Sequence, residues 1–301
     1  MPLSRRQFVA RSSAALASLP FAHVAFASPR WPFEDLRGGV GFFTGRGGTI
    51  GYLASDRALV VVDTQFPDQA QACYDGLDER TPGRASVVDL LVNTHHHGDH
   101  TAGNAVLAPL AARHVAHQAA PGLQRAAAVR SGSLDAQAYA RETYTERWSA
   151  DVGGETVTLH YFGPAHTAGD SVVHFEEANV AHMGDLVFNR LPPYIDLAAG
   201  ASTTGWMAVL EAAHASLDDE TVFIFGHGQD PWGVTGTRAD LLVMRDVLAG
   251  LNEHVAAGLS AGRSADEIAV DVLPSFPDHV TEGRTMARSI RAVLEEQQRG
   301  Q

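Results

Sequence analysis

The chain has 301 residues, 35 acidic against 22 basic side chains and a formal net charge of −13. Every basic residue is arginine, so lysine-based covalent chemistry is excluded, and an acidic chain with no basic run argues against nucleic acid as a partner. Cys73 is the single cysteine, which rules out an intramolecular disulfide; it sits in the amphipathic pattern PDQAQACYDGL and reads as a buried, inert thiol.

From the N-terminus, SRRQFVA carries paired arginines ahead of a short apolar segment. Residues 1–27 hold Arg5, Arg6 and Arg11, no acid, and a small-x-small site at Ala25-Phe26-Ala27. The apolar part is too short to span a bilayer. The order predicts a twin-arginine-type export signal cleaved after Ala27, with the twin-arginine export machinery as a partner and no stable membrane insertion. Residues 28–301 are then one domain, periplasmic or otherwise exported.

Strands are predicted near 40–44, 49–54, 58–62, 87–92, 156–162, 171–176, 180–182 and 221–225. Helices are predicted over 67–79, 102–112, much of 118–148, 204–217, 238–258 and 279–298. The segments IGYLASDRALVVVDT and SVVHFEEANVAHMGD echo one another as hairpins ending in Asp63 and Asp185. Strands interspersed with helices predict an α/β fold whose sheets carry helices on their outer faces. Residues 189–202, with Pro-Pro-Tyr at their centre, lack a period and read as a long ordered loop, a type that is often functional.

Four apolar strands run out into metal-capable side chains. DLLVNT leads into His95, His96, His97, Gly98, Asp99 and His100; VTLHYFGPA leads into His166; VAHMG leads into Asp185; and TVFIFG leads into His227. Strand ends along one sheet edge converge on loops held by a rigid scaffold. His95 and His97, two apart in an extended segment, leave the same face and can reach one ion, whereas His96 points away. Gly98 lets the chain bend so that Asp99 and His100 reach a neighbouring position. The bland reading, a surface or satisfied core histidine, applies to His114, His117, His160, His174, His182, His214, His254 and His279.

The ordered set HxHxDH followed by GPAHTAGD, HMGD and FGHG resembles the metallo-β-lactamase fold superfamily from about Gly39 to Gly228. The resemblance implies a four-layer αβ/βα sandwich of two mixed β-sheets, with the site at one edge between them. It implies two Zn²⁺ per chain, one held by His95, His97 and His166 and the other by Asp99, His100 and His227, with Asp185 bridging. Asp63 falls where the family keeps a supporting aspartate. One group of true zinc β-lactamases has cysteine at the position of Asp185 and then a substrate-binding lysine, about where Phe188 stands; this chain has neither. Arg190 is then a candidate anion anchor or a solvent-facing charge, and Tyr194 and Trp206 are candidates for a substrate wall or for packing.

The resemblance implies a dinuclear zinc-dependent hydrolase acting on a carbonyl of a small amide- or ester-type substrate: β-lactam, lactone or thioester. A water shared by two zinc ions becomes a nucleophile near neutral pH, and Asp99 is the candidate proton carrier. Two alternatives belong to other classes. An iron redox enzyme of the same fold is disfavoured because oxygen-reducing relatives usually show Glu where His97 stands. A non-catalytic periplasmic metal-binding accessory protein is disfavoured by the complete ligand set.

Overall fold

The computed structural model describes residues 33–82, 86–269, 276, 279 and 283–299. The export segment therefore lies outside the described residues. Fifteen strands are described: β1 (Phe33–Arg37), β2 (Val40–Phe43), β3 (Ile50–Ala54), β4 (Leu59–Val62), β5 (Val88–Asn93), β6 (Ala111–His117), β7 (Glu142–Tyr144), β8 (Arg147–Val152), β9 (Glu155–His160), β10 (Val172–Phe175), β11 (Val180–His182), β12 (Phe188–Asn189), β13 (Val222–Ile224), β14 (His227–Gly228) and β15 (Thr235–Gly236). They form a seven-stranded sheet in the order β1 to β7 and a six-stranded sheet in the order β15-β13-β11-β10-β9-β8. Both are mixed: β4, β5, β6 and β7 run parallel and the hairpins before them antiparallel, while β11 runs parallel to β13 beside an antiparallel run from β8 to β11.

The strand alternation sorts side chains between two cores. Val60 and Val62 of β4, with Leu90 and Val92 of β5, face Val157, Leu159, Val173, Phe175 and Ile224 of the second sheet. Leu59, Val61 and Leu91 face outwards, onto Ala70, Cys73 and Leu77 of the helix Pro67–Arg80. Cys73 is fully buried there, and burial pushes its thiol up. The outer face of the second sheet, with Ala181, Phe223 and Phe225, packs on the helices Thr203–Ser216 and Arg238–Ser260 and on Ile290, Val293 and Leu294 of the helix Gly283–Arg299. Helix, sheet, sheet, helix is the layer order the family resemblance implies. No described helix is long and apolar enough to cross a membrane.

Two helix predictions need correction. The segment 102–112 follows the short helix Gly98–Thr101 and holds only one more, Asn104–Leu107, then enters β6 just beyond Pro109, whose ring cannot continue a helix. In 118–148 the helix is confined to Ala120–Ser131 and ends at Gly132 in the left-handed region (φ 69°). The remainder supplies β7 and β8, the edge strands of the first and second sheet, and β8 alternates between exposed and half-buried residues.

Parallel pairing of β4 with β5, and of β11 with β13, aligns their C-terminal ends, so the residues following them meet at one sheet edge. The short parallel ladder of β12 with β14 ties the chain beyond Asp185 to His227, with Phe188 registered opposite His227. The two echoed hairpins, β3-β4 and β10-β11, end just before Asp63 and Asp185, and both aspartates come to bear on His100, one at each ring nitrogen.

Candidate metal centre

Two groups of ligand atoms lie side by side, each with its atoms within 4.8 Å of one another: His95, His97, His166 and Asp185, and then Asp99, His100 and His227. In the first, His97 Nδ1 is 3.0 Å from His95 Nε2 and 2.9 Å from His166 Nε2. Asp185 Oδ2 is 3.8 Å from His95 Nε2 and 3.5 Å from His166 Nε2. Tetrahedral bonds of about 2.0–2.1 Å put ligand atoms about 3.4 Å apart, so these spacings suit one cation. In the second, His227 Nε2 is 3.2 Å from Asp99 Oδ2 and His100 Nε2 is 3.9 Å from it. The Asp185 carboxylate reaches both groups, with Oδ2 at 3.4 Å from His227 Nε2 and Oδ1 at 3.0 Å from His100 Nε2.

The hydrogen bonds on the far side of each ring decide which nitrogen is free to bind a cation. Thr94 Oγ1 donates to Asp63 Oδ2 at 2.7 Å, so it accepts from His95 Nδ1 at 3.0 Å and leaves Nε2 as the lone pair. His100 Nδ1 donates to Asp63 Oδ2 at 2.7 Å, and His166 Nδ1 donates to the Tyr194 carbonyl at 2.6 Å. His97 Nε2 donates to Asp196 Oδ2 at 3.0 Å, leaving Nδ1 inward. In all four histidines the atom left bare is the one inside the cluster. Outer partners that fix imidazole tautomers are a regular feature of metal sites.

Buried atoms without partners complete the fit. His100 Nε2 and Asp185 Oδ1 have no hydrogen-bond partner, although they face each other in a fully buried space. A neutral imidazole with Nδ1–H on Asp63 would aim a lone pair at a carboxylate, an arrangement that needs a cation or a proton between them. Nitrogen and oxygen donors without sulfur suit zinc or another borderline-to-hard divalent ion.

The chain matches the family model described as the metallo-beta-lactamase superfamily over residues 43–227. The chain belongs to the metallo-beta-lactamase superfamily. Among its relatives in that superfamily, 2,4-dinitroanisole O-demethylase subunit alpha of Nocardioides sp. (strain JS1661) is 29% identical over 183 residues, covering 60% of this chain and 52% of that protein. Hydroxyacylglutathione hydrolase of Acidiphilium cryptum (strain JF-5) is 33% identical over 164 residues, covering 54% of this chain and 57% of that protein. The chain thus spans about half the length of the curated relatives it matches. The solved structure of the stereoselective inverting sec-alkylsulfatase Pisa1 from Pseudomonas sp. superimposes with a TM-score of 0.68 at 17% identity, over 88% of this chain and 50% of that one. The metallo beta lactamase from Hirschia baltica does so with a TM-score of 0.57 at 19% identity, over 72% and 97%. These structural likenesses show the shared fold.

Within the superfamily fold, charge divides the two ligand groups. Burial first, then the neighbouring imidazoles of His100 and His97 respectively, hold His95 well below its ordinary value and His166 at about 3. Burial also works against protonation of His100 and His227, but Asp185 leads the carboxylates that outweigh it, holding His100 well above its ordinary value and His227 at about 9. The carboxylates respond in kind: burial opposes ionisation of Asp185, and His227 and His100 overcome it and hold it well below the usual range. Asp99 is likewise brought to about 2, mainly by His100 acting against burial. The sign follows directly. Below pH 9 the metal-free second group carries protons that a cation must displace, whereas His95 and His166 of the first are already bare. Zinc titrations between about pH 8 and pH 6 are expected to show the second ion weakening up to about tenfold per unit for each displaced proton, and the first far less. Equal slopes and equal proton release for the two ions would contradict this.

Glycine makes room where the backbone presses on the ligands. A Cβ at Gly48 would lie 2.1 Å from His100 Cε1, and one at Gly226 would lie 2.1 Å from Asp185 Oδ1. His100 is fully buried and cannot swing aside. Gly48→Ala is therefore expected to displace that ring, cut turnover by at least about 10-fold to 100-fold and lower bound metal towards one ion per chain. Metal analysis beside steady-state rates checks both halves of the expectation.

All seven candidate ligands are brought together, and Asp63 supports from behind, accepting from Thr94 N, Thr94 Oγ1 and His100 Nδ1. His96 joins neither main group but forms a third with His97 and Asp196: it lies 3.8 Å from Asp196, its ring is 4.4 Å from that of His97, and its Nδ1 is buried without a partner. Tyr194 stands half-buried with its ring 5.3 Å from that of His97. Trp206 does not form a wall facing the site: it is fully buried, donates Nε1–H to the Leu186 carbonyl and packs edge-on against His166. Arg190 has intramolecular partners, with its guanidinium 3.3 Å from Asp240 and over the Trp232 ring at 4.8 Å. Asp196 is the functional residue the sequence reading missed. Its only signal was a carboxylate in the aperiodic loop already marked as functional.

Proposed function

We propose that this chain is a dinuclear zinc-dependent hydrolase that opens a carbonyl-centred amide- or ester-type bond in a small substrate: a thioester, a lactone or a β-lactam. The observation that carries the reading is the far-side hydrogen bond on each of four histidines, which leaves the inward nitrogen for a cation, with one carboxylate, Asp185, reaching both ligand groups. When bound, such an ion pair supplies Lewis acidity that brings a water's pKa towards 7 and polarises a substrate oxygen. No protein nucleophile is required.

The chain's own residues do the rest. Asp185 sets the spacing between the two ligand groups. Asp99 is the most exposed of the seven ligands, at 31%. Its carboxylate can therefore take a proton at a free oxygen and return it to the leaving group. A carboxylate held at about 2 is a weak base, which suits a transient proton carrier. Phe188, stacked on His227 at 5.3 Å, and Trp206 behind His166 exclude water from the rear of the centre. Among substrates, the relative named for hydroxyacylglutathione hydrolysis supports a thioester.

The test is metal analysis with a substrate panel of chromogenic thioester, lactone, cephalosporin and phosphodiester, with and without chelator. The expected result is close to two zinc ions per chain, and ester or thioester turnover abolished by chelation and restored by zinc. Full activity in a metal-free preparation would sink the mechanism. Stoichiometric iron with colour would favour the redox alternative, and silence across the panel the accessory one. The SRRQFVA segment extends the proposal to export through the twin-arginine machinery into the periplasm, for which the mature N-terminus after Ala27 is the measurement.

A further inference from the structure

Beside the first ligand group lies a positive charge with no carboxylate partner among the described residues. Tyr194 is fixed to the ligands at two points: its carbonyl accepts from His166 Nδ1, and its ring lies 5.3 Å from His97. Over that same ring, at 4.4 Å from its centroid, lies the guanidinium carbon of Arg288. Its position is built into the fold, because the next residue, Ser289, donates to the Pro193 carbonyl at 2.6 Å and pins the helix Gly283–Arg299 to the residue before Tyr194.

Arg288 is exposed in a chain with 35 acidic residues. Arg46, Arg80, Arg113, Arg190, Arg238 and Arg291 each meet a carboxylate. Among the described residues Arg288 meets none, a condition it shares with Arg37 and Arg125; it differs from them in lying over a ring that stands against a ligand histidine. A guanidinium is planar and always charged, and its forked donors match a carboxylate. Stacking on Tyr194 holds the fork in place without occupying its donors.

Resting on the hydrolase reading above, we propose that the substrate carries a carboxylate some distance from the bond that is cut, and that Arg288 binds it beside the first ligand group. Arg288 is thereby a specificity-determining residue. Arg190, whose charge is already paired with Asp240, does not fill this role.

The experiment uses the zinc-loaded full chain and two probes that differ by one charge, the para-nitrophenyl monoester of succinate and its methyl ester. The expected wild-type kcat/KM favours the free acid by about tenfold or more, a preference that raised salt narrows. Arg288→Ala is expected to reduce that preference by about tenfold, mainly through KM for the acid, while Arg288→Lys keeps part of it. A wild-type preference for the methyl ester, or equal losses on both probes in Arg288→Ala, would overturn the carboxylate site. Turnover of the methyl ester with no acid preference defeats only this inference, whereas no turnover of either probe by the fully loaded chain defeats the hydrolase reading beneath it.

Discussion

Replacing Asp185 with Asn is expected to lower kcat/KM by at least about a thousandfold and to bring bound zinc from near two ions per chain to near one. The side chain is small, but its position is not replaceable. One oxygen stands 3.5–3.8 Å from two nitrogens of the first group and 3.4 Å from His227, and the other stands 3.0 Å from His100. An amide offers a single oxygen, carries no charge, and would turn its NH₂ towards either His100 or the first group. The fold should survive, because the neighbouring backbone is tied by Gly226 N to Gly184 O at 2.7 Å and by Met183 N to Ile224 O at 2.8 Å. Metal content by mass spectrometry, read beside an unchanged circular dichroism spectrum, separates lost chemistry from lost folding.

Asp63→Ala is expected to have the second large effect, and it acts on stability as well. Asp63 is fully buried in the left-handed region (φ 64°) and accepts three hydrogen bonds, from Thr94 N at 2.8 Å and from Thr94 Oγ1 and His100 Nδ1 at 2.7 Å each. Removing it leaves three buried donors unpaired and adds a residue with little tolerance for that backbone region. Breaking a buried, charge-assisted network of this kind costs about 3–5 kcal/mol. For a domain of this size that corresponds to a fall in Tm of roughly 2–4 °C per kcal/mol. The same change frees the His100 ring, so the second ion should weaken about 10-fold to 100-fold while the first is retained. Calorimetric unfolding and zinc titration on one variant check the two expectations separately. A variant that melts like the wild type and binds both ions would show that Asp63 is dispensable.

The centre was legible in the sequence because chemistry and geometry coincide there. Metal ligands at strand ends need no long side-chain reach, so His95, His97, Asp99 and His100 fall in one short run after β5, and His227 follows β13 directly. What supports them was less legible. Asp196 is 99 residues from His97, in a loop without a period, and only the folded chain shows that its carboxylate selects the tautomer of that histidine. Trp206 reads the same whether it lines a pocket or fills a core. Its indole N–H, satisfied by the Leu186 carbonyl at full burial, settles the choice. The strand β6 was hidden by composition, since AARHVAH contains three helix-favouring alanines. Its backbone is fixed instead by pairing between β5 and β7, a tertiary effect that local propensity does not report. Arg288 likewise has no motif, and its relation to Tyr194 arises only because Ser289 anchors its helix to the loop.

The most direct test is anomalous scattering from crystals of the zinc-loaded chain. The account predicts two zinc peaks about 3.5–4 Å apart, with the Asp185 carboxylate between them and His97 bound through Nδ1. A single peak, or density held by His96 and Asp196 in place of the two main groups, would contradict it.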